Sequence, residues 1–193
     1  VVVTDFNGCK DSADVTVLEP TILAIGSMSM DSATCNGASD GTATANSITG
    51  GNGINTYSWK TTLIQTTNPA TGLAAGNYTI TVTDQNGCTV TRDTTVLQPD
   101  SIVVDTLAQD SVSCFGAIDG LAYLGLSGGT GIISYSWLTN TGIQTSDTAI
   151  GLLAGSYAVT LTDENGCFID TNVTVLEPNI LVVDTTTQDS VSC

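Results

Sequence analysis

The chain contains no histidine and only three basic residues, Lys10, Lys60 and Arg92, against 19 acidic residues, so its net charge is −16. Nucleic-acid binding needs Lys and Arg side chains that displace counterions from phosphates, and anionic membrane surfaces attract the same side chains. We therefore exclude nucleic acid as a partner. The acidic balance favours a solvated surface that attracts cations.

Long apolar segments and helix-forming runs are also missing. No stretch is long and apolar enough to span a bilayer, so we predict no membrane insertion. Aromatic residues make up only 5% of the chain, whereas it contains 33 Thr, 17 Ser and 20 Gly. Thr and Val favour half-buried strands, and Gly and Asn-Gly pairs mark turns. The composition predicts an all-β fold.

An internal repeat of 79 residues is the strongest pattern in the sequence. This spacing separates the cysteines of two sets, which are Cys9, Cys88 and Cys167, and Cys35, Cys114 and Cys193. Proline-containing segments at 18–20, 97–99 and 176–178 mark the boundaries. We predict the C-terminal part of one repeat at 1–20, complete repeats at 21–99 and 100–178, and the N-terminal part of another at 179–193. We expect further repeats on both sides.

Each repeat has the pattern of about seven short strands, as in an immunoglobulin-like sandwich. In the second repeat we predict strands at 101–113, 121–126, 132–138 and 157–162, a last strand at 167–176, and two weak strands within 142–150. Alternation points Trp59 and Trp137, and the tyrosines Tyr78 and Tyr157 that open a later strand, towards the core. The alternative is a sugar-stacking platform. We expect the sandwiches to lie end to end.

Five short motifs recur in fixed order: Cys-x-Gly-x-x-Asp-Gly, Tyr-Ser-Trp, Gly-Leu-x-Ala-Gly-x-Tyr, Thr-Asp-x-Asn-Gly-Cys and Leu-Glu-Pro. Together they resemble the SprB-type repeat of giant cell-surface adhesins in gliding Bacteroidota. Phe115 in place of Asn36, and Gln98 in place of Glu, are the departures. The resemblance implies type IX secretion, display on the cell surface, and a role in adhesion or gliding motility.

The six cysteines are predicted to form disulfides, as in other exported proteins. Metal binding and a thiol nucleophile are disfavoured, because histidine and a close Cys-x-x-Cys pair are both absent. Three pairings remain open. The first joins Cys35 to Cys88 and Cys114 to Cys167 within repeats, the second joins Cys35 to Cys167 across the joint, and the third joins Cys88 to Cys114.

The carboxylates of Asp84, Asp163, Asp40 and Asp119 fall at turns, which Asp stabilises through its own side chain. Calcium is the alternative ligand, with Asp84, Asp163, Asp100 and Glu177 as candidates, although EF-hand spacing is absent. We predict no other cofactor, no catalytic residues and no enzyme activity.

Asp followed by Ser or Thr is frequent, and most such pairs continue with Ala, Ile, Leu, Val or Thr. This pattern is similar to the O-glycosylation signal of exported Bacteroidota proteins, although a turn preference would explain it too. The candidate acceptors are Ser12, Ser32, Thr94, Ser101, Thr106, Ser111, Thr148, Thr185 and Ser190.

We therefore predict an extracellular, cell-surface segment that acts as a structural or adhesive fibre. Its partners would be neighbouring repeats of the same chain, copies associated laterally through edge strands, and extracellular surfaces or polysaccharide. The alternatives are a carbohydrate- or surface-binding module, which exposed aromatics in one repeat only would indicate, and spacer repeats of a secreted enzyme.

Overall fold

The computed structural model describes residues 1–183, and every regular element in this range is a β-strand. Within it there is no helix long and apolar enough to cross a membrane. The chain begins with an antiparallel hairpin of β1 (Val2–Thr4) and β2 (Lys10–Ser12), whose residues are all exposed. This hairpin lies in the predicted C-terminal part of a preceding repeat.

The first sandwich contains six strands in two sheets. They are β3 (Ala24–Asp31), β4 (Gly41–Thr49), β5 (Thr56–Lys60), β6 (Ala70–Leu73), β7 (Gly76–Thr83) and β8 (Thr89–Val96). One sheet has the order β3-β4-β6 and the other β5-β7-β8, with all neighbours antiparallel.

The second sandwich repeats this arrangement with one more strand. Its strands are β9 (Val103–Asp110), β10 (Gly120–Ser127), β11 (Ser134–Thr139), β12 (Gly142–Gln144), β13 (Thr148–Leu152), β14 (Gly155–Thr162) and β15 (Phe168–Val175). The sheets have the orders β13-β10-β9 and β12-β11-β14-β15. We use the immunoglobulin letters A, B, C, C′, E, F and G for these seven strands and for their counterparts in the first sandwich.

The prediction of tandem immunoglobulin-like sandwiches is confirmed, because both copies pack an A-B-E sheet against a C-F-G sheet. Strand β8 ends at Val96 and strand β9 begins at Val103, so residues 97–102 connect the two sandwiches. The boundaries at 20, 99 and 178 stay predictions.

Strand C′ is the one element that differs between the sandwiches. In the second, Trp137 pairs with Gln144 in a short hairpin whose turn contains Gly142 at a φ of 112°. Glycine adopts this conformation without strain. The first sandwich has no glycine between Trp59 and Gln65, and there the strand is reduced to a single bridge between these two residues.

Each core is closed around the tryptophan of strand C. Trp59 and Trp137 are both 0% exposed, so the core interpretation is correct and the sugar-platform alternative is wrong for these two residues. Strand F shows the predicted alternation, since Tyr157, Val159 and Leu161 are buried. A buried aromatic side chain of this kind typically stabilises a fold by about 3–5 kcal/mol relative to Ala.

The tyrosine that opens strand F ties that strand to the preceding loop. Tyr78 Oη donates to the carbonyl oxygen of Ala74 (2.9 Å), and Tyr157 Oη donates to that of Leu153 (2.8 Å). This is the tyrosine-corner hydrogen bond expected of the fold. Tyr157 is buried and Tyr78 is half-buried.

The turns of each sandwich lie at two opposite ends. The A–B turn lies where strand G ends, because the Ala33 amide donates to Leu97 O (2.8 Å) and the Val112 amide donates to Leu176 O (3.0 Å). The F–G turn precedes the same strand G, whose eight residues span about 26 Å. The A–B turn of one sandwich therefore faces the F–G turn of the next.

Candidate functional site

The joint between the sandwiches is built from a linker whose first four residues, 97–100, each accept a hydrogen bond. The carbonyl oxygen of Leu97 accepts from Ala33, and Gln98 Oε1 accepts from the Gly37 amide (2.9 Å). The next two residues accept through their carbonyl oxygens, Pro99 from Asn36 Nδ2 (3.1 Å) and Asp100 from the Gly129 amide (3.0 Å). The linker is thus bound to the first sandwich through Leu97, Gln98 and Pro99 and to the second through Asp100.

A disulfide also crosses the joint. Cys35 in the A–B turn of the first sandwich is bonded to Cys167 in the F–G turn of the second, with Cα atoms 5.6 Å apart and a sequence separation of 132 residues. Asn165 Nδ2 donates to Thr34 O (3.1 Å) beside this bond. The second of the three predicted pairings is therefore the one that forms.

The within-repeat pairing, which we considered first, is wrong. Cys167 is bonded to Cys35, and a strand length of about 26 Å separates the two turns of one sandwich, whereas a disulfide needs Cα atoms within about 7 Å. Cys9, Cys88 and Cys114 carry free, exposed thiols in the structure, so the third pairing, Cys88 to Cys114, does not form either. Cys193 lies outside the described residues.

The F–G turns are held by a buried aspartate. Asp163 Oδ1 accepts from the amides of Asn165 and Cys167 (both 2.9 Å), and its Oδ2 accepts from the Thr130 amide of the B–C turn (2.9 Å). Asp84 makes the same three contacts, with Asn86 (3.0 Å), Cys88 (2.8 Å) and Asn52 (2.9 Å). The predicted turn role of these aspartates is observed.

Both aspartates are 4–6% exposed, and the pKa of Asp84 shows how the backbone compensates for this burial. Burial raises the pKa of Asp84, but the amides of Cys88, Asn52 and Asn86 donate to the ionised carboxylate and lower it more. The net pKa of Asp84 is below the ordinary value of 3.8. The carboxylate is therefore charged at neutral pH and fixes the turn next to the joint.

A second aspartate closes each A–B turn. Asp40 Oδ1 accepts from the Thr34 amide and Asp119 Oδ1 from the Ser113 amide, both at 3.0 Å. The pKa of Asp40 is lowered by hydrogen bonds from the side chain and then the backbone of Thr34. Ser113 lowers the pKa of Asp119 in the same way. The two A–B turns thus share one charge-stabilised geometry.

Comparison with known proteins identifies the repeat. The SprB repeat family profile matches residues 29–62 and 106–142, which are equivalent parts of the two sandwiches and include strands B and C. One segment of each sandwich is thus similar to the SprB repeat. SprB repeats occur in cell-surface proteins, and together with the disulfide the two similar segments indicate an extracellular repeat segment of the adhesion type.

Solved structures similar to this chain contain several immunoglobulin-type domains. The three N-terminal domains of the Highly Immunogenic Outer Capsid protein (Hoc) of bacteriophage RB49 match with 17% identity and a TM-score of 0.46, over 82% of this chain and 59% of that one. Dpr11 IG1 bound to DIP-gamma matches with 10% identity and a TM-score of 0.35, over 84% of this chain and all of that one. The first eight immunoglobulin domains of DSCAM match with 13% identity and a TM-score of 0.32, over 77% and 25%. No curated protein sequence gave a significant match.

The fold does not bring the four calcium candidates together. No cluster of three or more His, Cys, Asp or Glu side chains with metal-binding geometry occurs in residues 1–183. The carboxylates of Asp84 and Asp163 accept hydrogen bonds from backbone amides. Because the amide hydrogens carry partial positive charge, they favour the carboxylate anion and disfavour a bound cation at the same place. Asp100 is exposed, and Glu177 Oε2 accepts from the Gly116 amide (3.2 Å).

Most candidate O-glycosylation sites within the described residues are accessible. Exposed hydroxyl residues are Ser12, Ser32, Ser101, Thr106 and Ser111, and Thr148 is half-buried. Thr94 is 8% exposed, with its hydroxyl against Met30 Sδ, so a glycan there is incompatible with the folded sandwich. Thr185 and Ser190 lie outside residues 1–183. Modification of the accessible sites stays a prediction.

Two features of the sandwiches were not predicted from the sequence. Gln65 and Gln144, which are 79 residues apart, each bind the backbone of strand E through both atoms of the side-chain amide. Their recurrence at the repeat spacing was the available signal. Phe115 and Phe168 are 55% and 64% exposed, and Phe168 lines a cleft of about 430 Å³ at the joint with Asp100 and Cys167.

Proposed function

We propose that the chain is a structural segment of a giant, repetitive cell-surface adhesin and that it acts as a stiff extracellular spacer. The observation that carries the proposal is the Cys35–Cys167 disulfide, which crosses the joint and joins consecutive repeats covalently. The hydrogen-bonded linker supports the same role, because residues 97–100 bind both sandwiches and restrict bending at the joint. Repeat boundaries at 20, 99 and 178 are part of this proposal.

Export by type IX secretion and a role in gliding motility belong to the same proposal. The two SprB segments support them, since SprB repeats occur in cell-surface proteins. The charge of −16 supports a long extracellular spacer, because like-charged repeats repel one another and remain solvated.

The disulfide also determines which residues carry a pulling force. A force applied at the two ends of the chain passes from Cys35 directly to Cys167, so residues 36–166 are bypassed. Their unfolding then adds nothing to the length of the molecule. A spacer of this kind transmits tension without lengthening, even when a sandwich opens.

Single-molecule force spectroscopy on the full chain, tethered at both ends, tests the proposal. In the oxidised protein, complete unfolding should release about 450 Å less contour length than in Cys35→Ser, which corresponds to the sequence separation of 132 between the bonded cysteines. Cys88→Ser is the matched control, because Cys88 is exposed and unpaired in the structure. Equal contour lengths for Cys35→Ser and the unmodified chain would refute the spacer mechanism.

Binding of polysaccharide is a second candidate function, and the exposed aromatic Phe168 favours it. The equivalent position in the first repeat is Thr89, so the aromatic is present in one repeat only. Phe168 lies beside a cleft that also offers the polar side chains of Asn36 and Asp100. Titration with soluble bacterial polysaccharide should show binding that Phe168→Ala abolishes and that Phe6→Ala, in the exposed hairpin, leaves unchanged. Equal binding by both variants would reject this site.

A further inference from the structure

We propose that Asn52, in the B–C turn of the first sandwich, is a site of spontaneous covalent modification at which the side-chain amide is lost and aspartate or isoaspartate forms. Asn-Gly steps favour this reaction, because glycine has no side chain to hinder the approach of its backbone nitrogen to the asparagine. The proposal concerns the fold of the first sandwich alone and is independent of the spacer function.

The two sandwiches contain four Asn-Gly steps, which differ in the hydrogen bonds of the glycine amide. Three of these amides donate to acceptors 2.9–3.0 Å away: Gly37 to Gln98 Oε1, Gly87 to Asp84 O, and Gly166 to Asp163 O. The fourth, Gly53, is exposed and has no acceptor within residues 1–183. Because the glycine nitrogen must lose its proton before it attacks the side chain, the three bound amides are protected and Gly53 is not.

The side-chain amides of the four asparagines differ in the same direction. Asn36 Nδ2 donates to Pro99 O and Asn165 Nδ2 donates to Thr34 O, both at 3.1 Å, so the joint holds these two side chains in place. Within residues 1–183 the exposed side chain of Asn52 makes no hydrogen bond. It is therefore able to turn its Cγ atom towards the next backbone nitrogen.

A backbone donor favours the reaction at Asn52. The Gln85 amide donates to Asn52 O (2.9 Å), and this oxygen belongs to the same peptide unit as the Gly53 nitrogen. When the nitrogen loses its proton, the negative charge is shared with the oxygen. A donor that is already placed at the oxygen stabilises this charge, as donors do wherever charge develops in a reaction.

The second sandwich shows that a neighbouring repeat leaves this step accessible. Thr130-Gly131 is the equivalent step, and it lies at the joint with the first sandwich. Glu164 donates to Thr130 O (3.1 Å) as Gln85 does to Asn52 O, and Gly131 is exposed. Both sandwiches thus form the same open turn, but only the first has an asparagine there.

The reaction passes through a cyclic imide. The Gly53 nitrogen bonds to Cγ of Asn52, the bond from Cγ to Nδ2 breaks, and ammonia leaves with the proton from Gly53. Water then opens the ring at one of its two carbonyl carbons. Opening at Cγ gives aspartate, whereas opening at the main-chain carbon gives isoaspartate. One water is consumed, one ammonia is released, and nothing is oxidised or reduced.

Isoaspartate at position 52 weakens the contacts of the buried Asp84. The main-chain carbonyl that accepts from Gln85 becomes part of a free carboxylate, and the backbone gains one carbon in the turn. Asp84 Oδ2 accepts from the Asn52 amide (2.9 Å), so the new carboxylate forms close to an existing one, and like charges repel. We expect the F–G turn of the first sandwich to open more often, while the second sandwich stays unchanged.

The experiment uses the full chain with Asn7→Ser, which removes the Asn-Gly step of the exposed N-terminal hairpin. The protein is kept at neutral pH, sampled over time, reduced in acid and digested with pepsin, and the mass gain of each amide-to-acid conversion is located by fragmentation. We expect Asn52 to convert several-fold faster than each of the other three asparagines. Equal rates at all four steps of the folded chain would overturn the proposal.

The reduced chain unfolded in urea separates the effect of the fold from that of the local sequence. All four steps should then convert at similar rates, because the hydrogen bonds that protect three of them are gone. If Asn52 led by the same factor in urea, the fold would not select it and the proposal would fail. In folded Gln98→Ala, which frees the Gly37 amide, conversion at Asn36 should rise, and an unchanged rate there would also count against it.

Asn52→Thr is the matched control, because it copies Thr130 of the second sandwich and keeps the backbone amide that Asp84 binds. Hydrogen exchange compares fresh and aged protein at the Cys88 and Cys167 amides, which donate to Asp84 and Asp163. In the chain with Asn52 we expect ageing to speed exchange at Cys88 only. In Asn52→Thr neither amide should change, and faster exchange at Cys88 in this variant too would refute the assigned site.

Discussion

At the scale of single residues, Gln65 and Gln144 each connect the sheet of strand C to strand E of the other sheet. Gln144 Nε2 donates to Ile150 O (2.9 Å), and Gln144 Oε1 accepts from the Ile150 amide (3.0 Å). Gln65 makes the same pair of bonds with Thr71 (2.9 and 3.0 Å). The side-chain amide thereby satisfies the backbone of edge strand E, which would otherwise be open to pairing with another chain.

Removal of this amide should therefore loosen strand E in one repeat only. In Gln144→Leu we expect the Ile150 amide to exchange hydrogen faster and the second repeat to lose about 1–2 kcal/mol, because the backbone of Ile150 loses both partners. Native-state hydrogen exchange measures this effect. The Thr71 amide is the internal control, since Gln65 still binds it, and equal acceleration at Ile150 and Thr71 would contradict the local role.

The aspartates in the turns predict a loss of stability in acid. The pKa values of Asp84, Asp40 and Asp119 are lowered below 3.8 in the folded protein, so each group stabilises the fold above that pH. This contribution is lost as the pH falls through the lowered folded pKa values. Thermal unfolding should show a melting temperature that declines below about pH 4.

The variant Asp84→Asn shows how much of the loss of stability in acid comes from the Asp84 carboxylate. The variant should melt below the unmodified chain at pH 7, because the amides of Asn52, Asn86 and Cys88 lose a charged acceptor. The difference should shrink as the pH approaches 3, where the native carboxylate takes up a proton. A difference that stays constant with pH would show that ionisation of Asp84 does not stabilise the turn.

At the scale of elements, the strands themselves were predictable, whereas the side-chain contacts that hold the edge strands in place were not. Alternation in strand F and the tryptophan of strand C predicted the sandwich, because burial on one face imposes a period of two. The clasp by Gln144 is different, because recurrence of the glutamine at the repeat spacing does not show which backbone groups its side chain binds. Strand C′ was not predictable either, because the segment from the tryptophan to the glutamine differs between the repeats by one residue, and the shorter copy lacks the glycine.

Substitution of a glycine in the B–C turn tests whether the linker packs against the second sandwich. Gly128 and Gly116 share a φ of 74°, but a Cβ at Gly128 would lie 2.0 Å from Ser101 O, whereas at Gly116 there is no atom within 4 Å. Gly116→Ala should cost about 1 kcal/mol, through backbone conformation alone. Gly128→Ala should cost at least about 2 kcal/mol more, because the linker must move.

Urea unfolding of the two variants gives the comparison. A similar loss of stability in Gly128→Ala and Gly116→Ala would mean that the contact between the turn and the linker contributes nothing.

At the scale of the whole molecule, the disulfide directs a pulling force from Cys35 to Cys167, so the force does not pass through residues 36–166. Cys9 precedes Cys35 by 26 residues in the sequence, and the segment between them contains strand A of the first repeat. Force that enters at Cys9 passes through this segment and crosses to Cys167. Because much of the segment is already extended, stretching it further yields little length.

The pairing of the cysteines was predictable only as three alternatives. Spacing alone shows that Cys35 and Cys88 bound one repeat, but disulfides depend on which turns share an end of the sandwich. Which turns share an end follows from the position of the A–B turn at the end of strand G and from the linker contacts of Leu97 and Asp100. The geometry of one sandwich excludes Cys88 as the partner of Cys35, but only the joint between two sandwiches shows that Cys167 takes that place.

The joint is held in two independent ways, so loss of one alone should leave it stiff. The disulfide is covalent, and the linker bonds of Asn36 and Gln98 each contribute about 0.5–1.5 kcal/mol. We expect small-angle X-ray scattering to show one compact arrangement for the oxidised chain, for Cys35→Ser, and for Asn36→Ala with Gln98→Ala. The triple variant, which combines Cys35→Ser, Asn36→Ala and Gln98→Ala, should instead show a broader distribution of maximum dimensions, because the disulfide and both side-chain bonds of the linker are removed. If Cys35→Ser alone were as flexible as the triple variant, the linker bonds would not stiffen the joint, and the disulfide would be its only constraint.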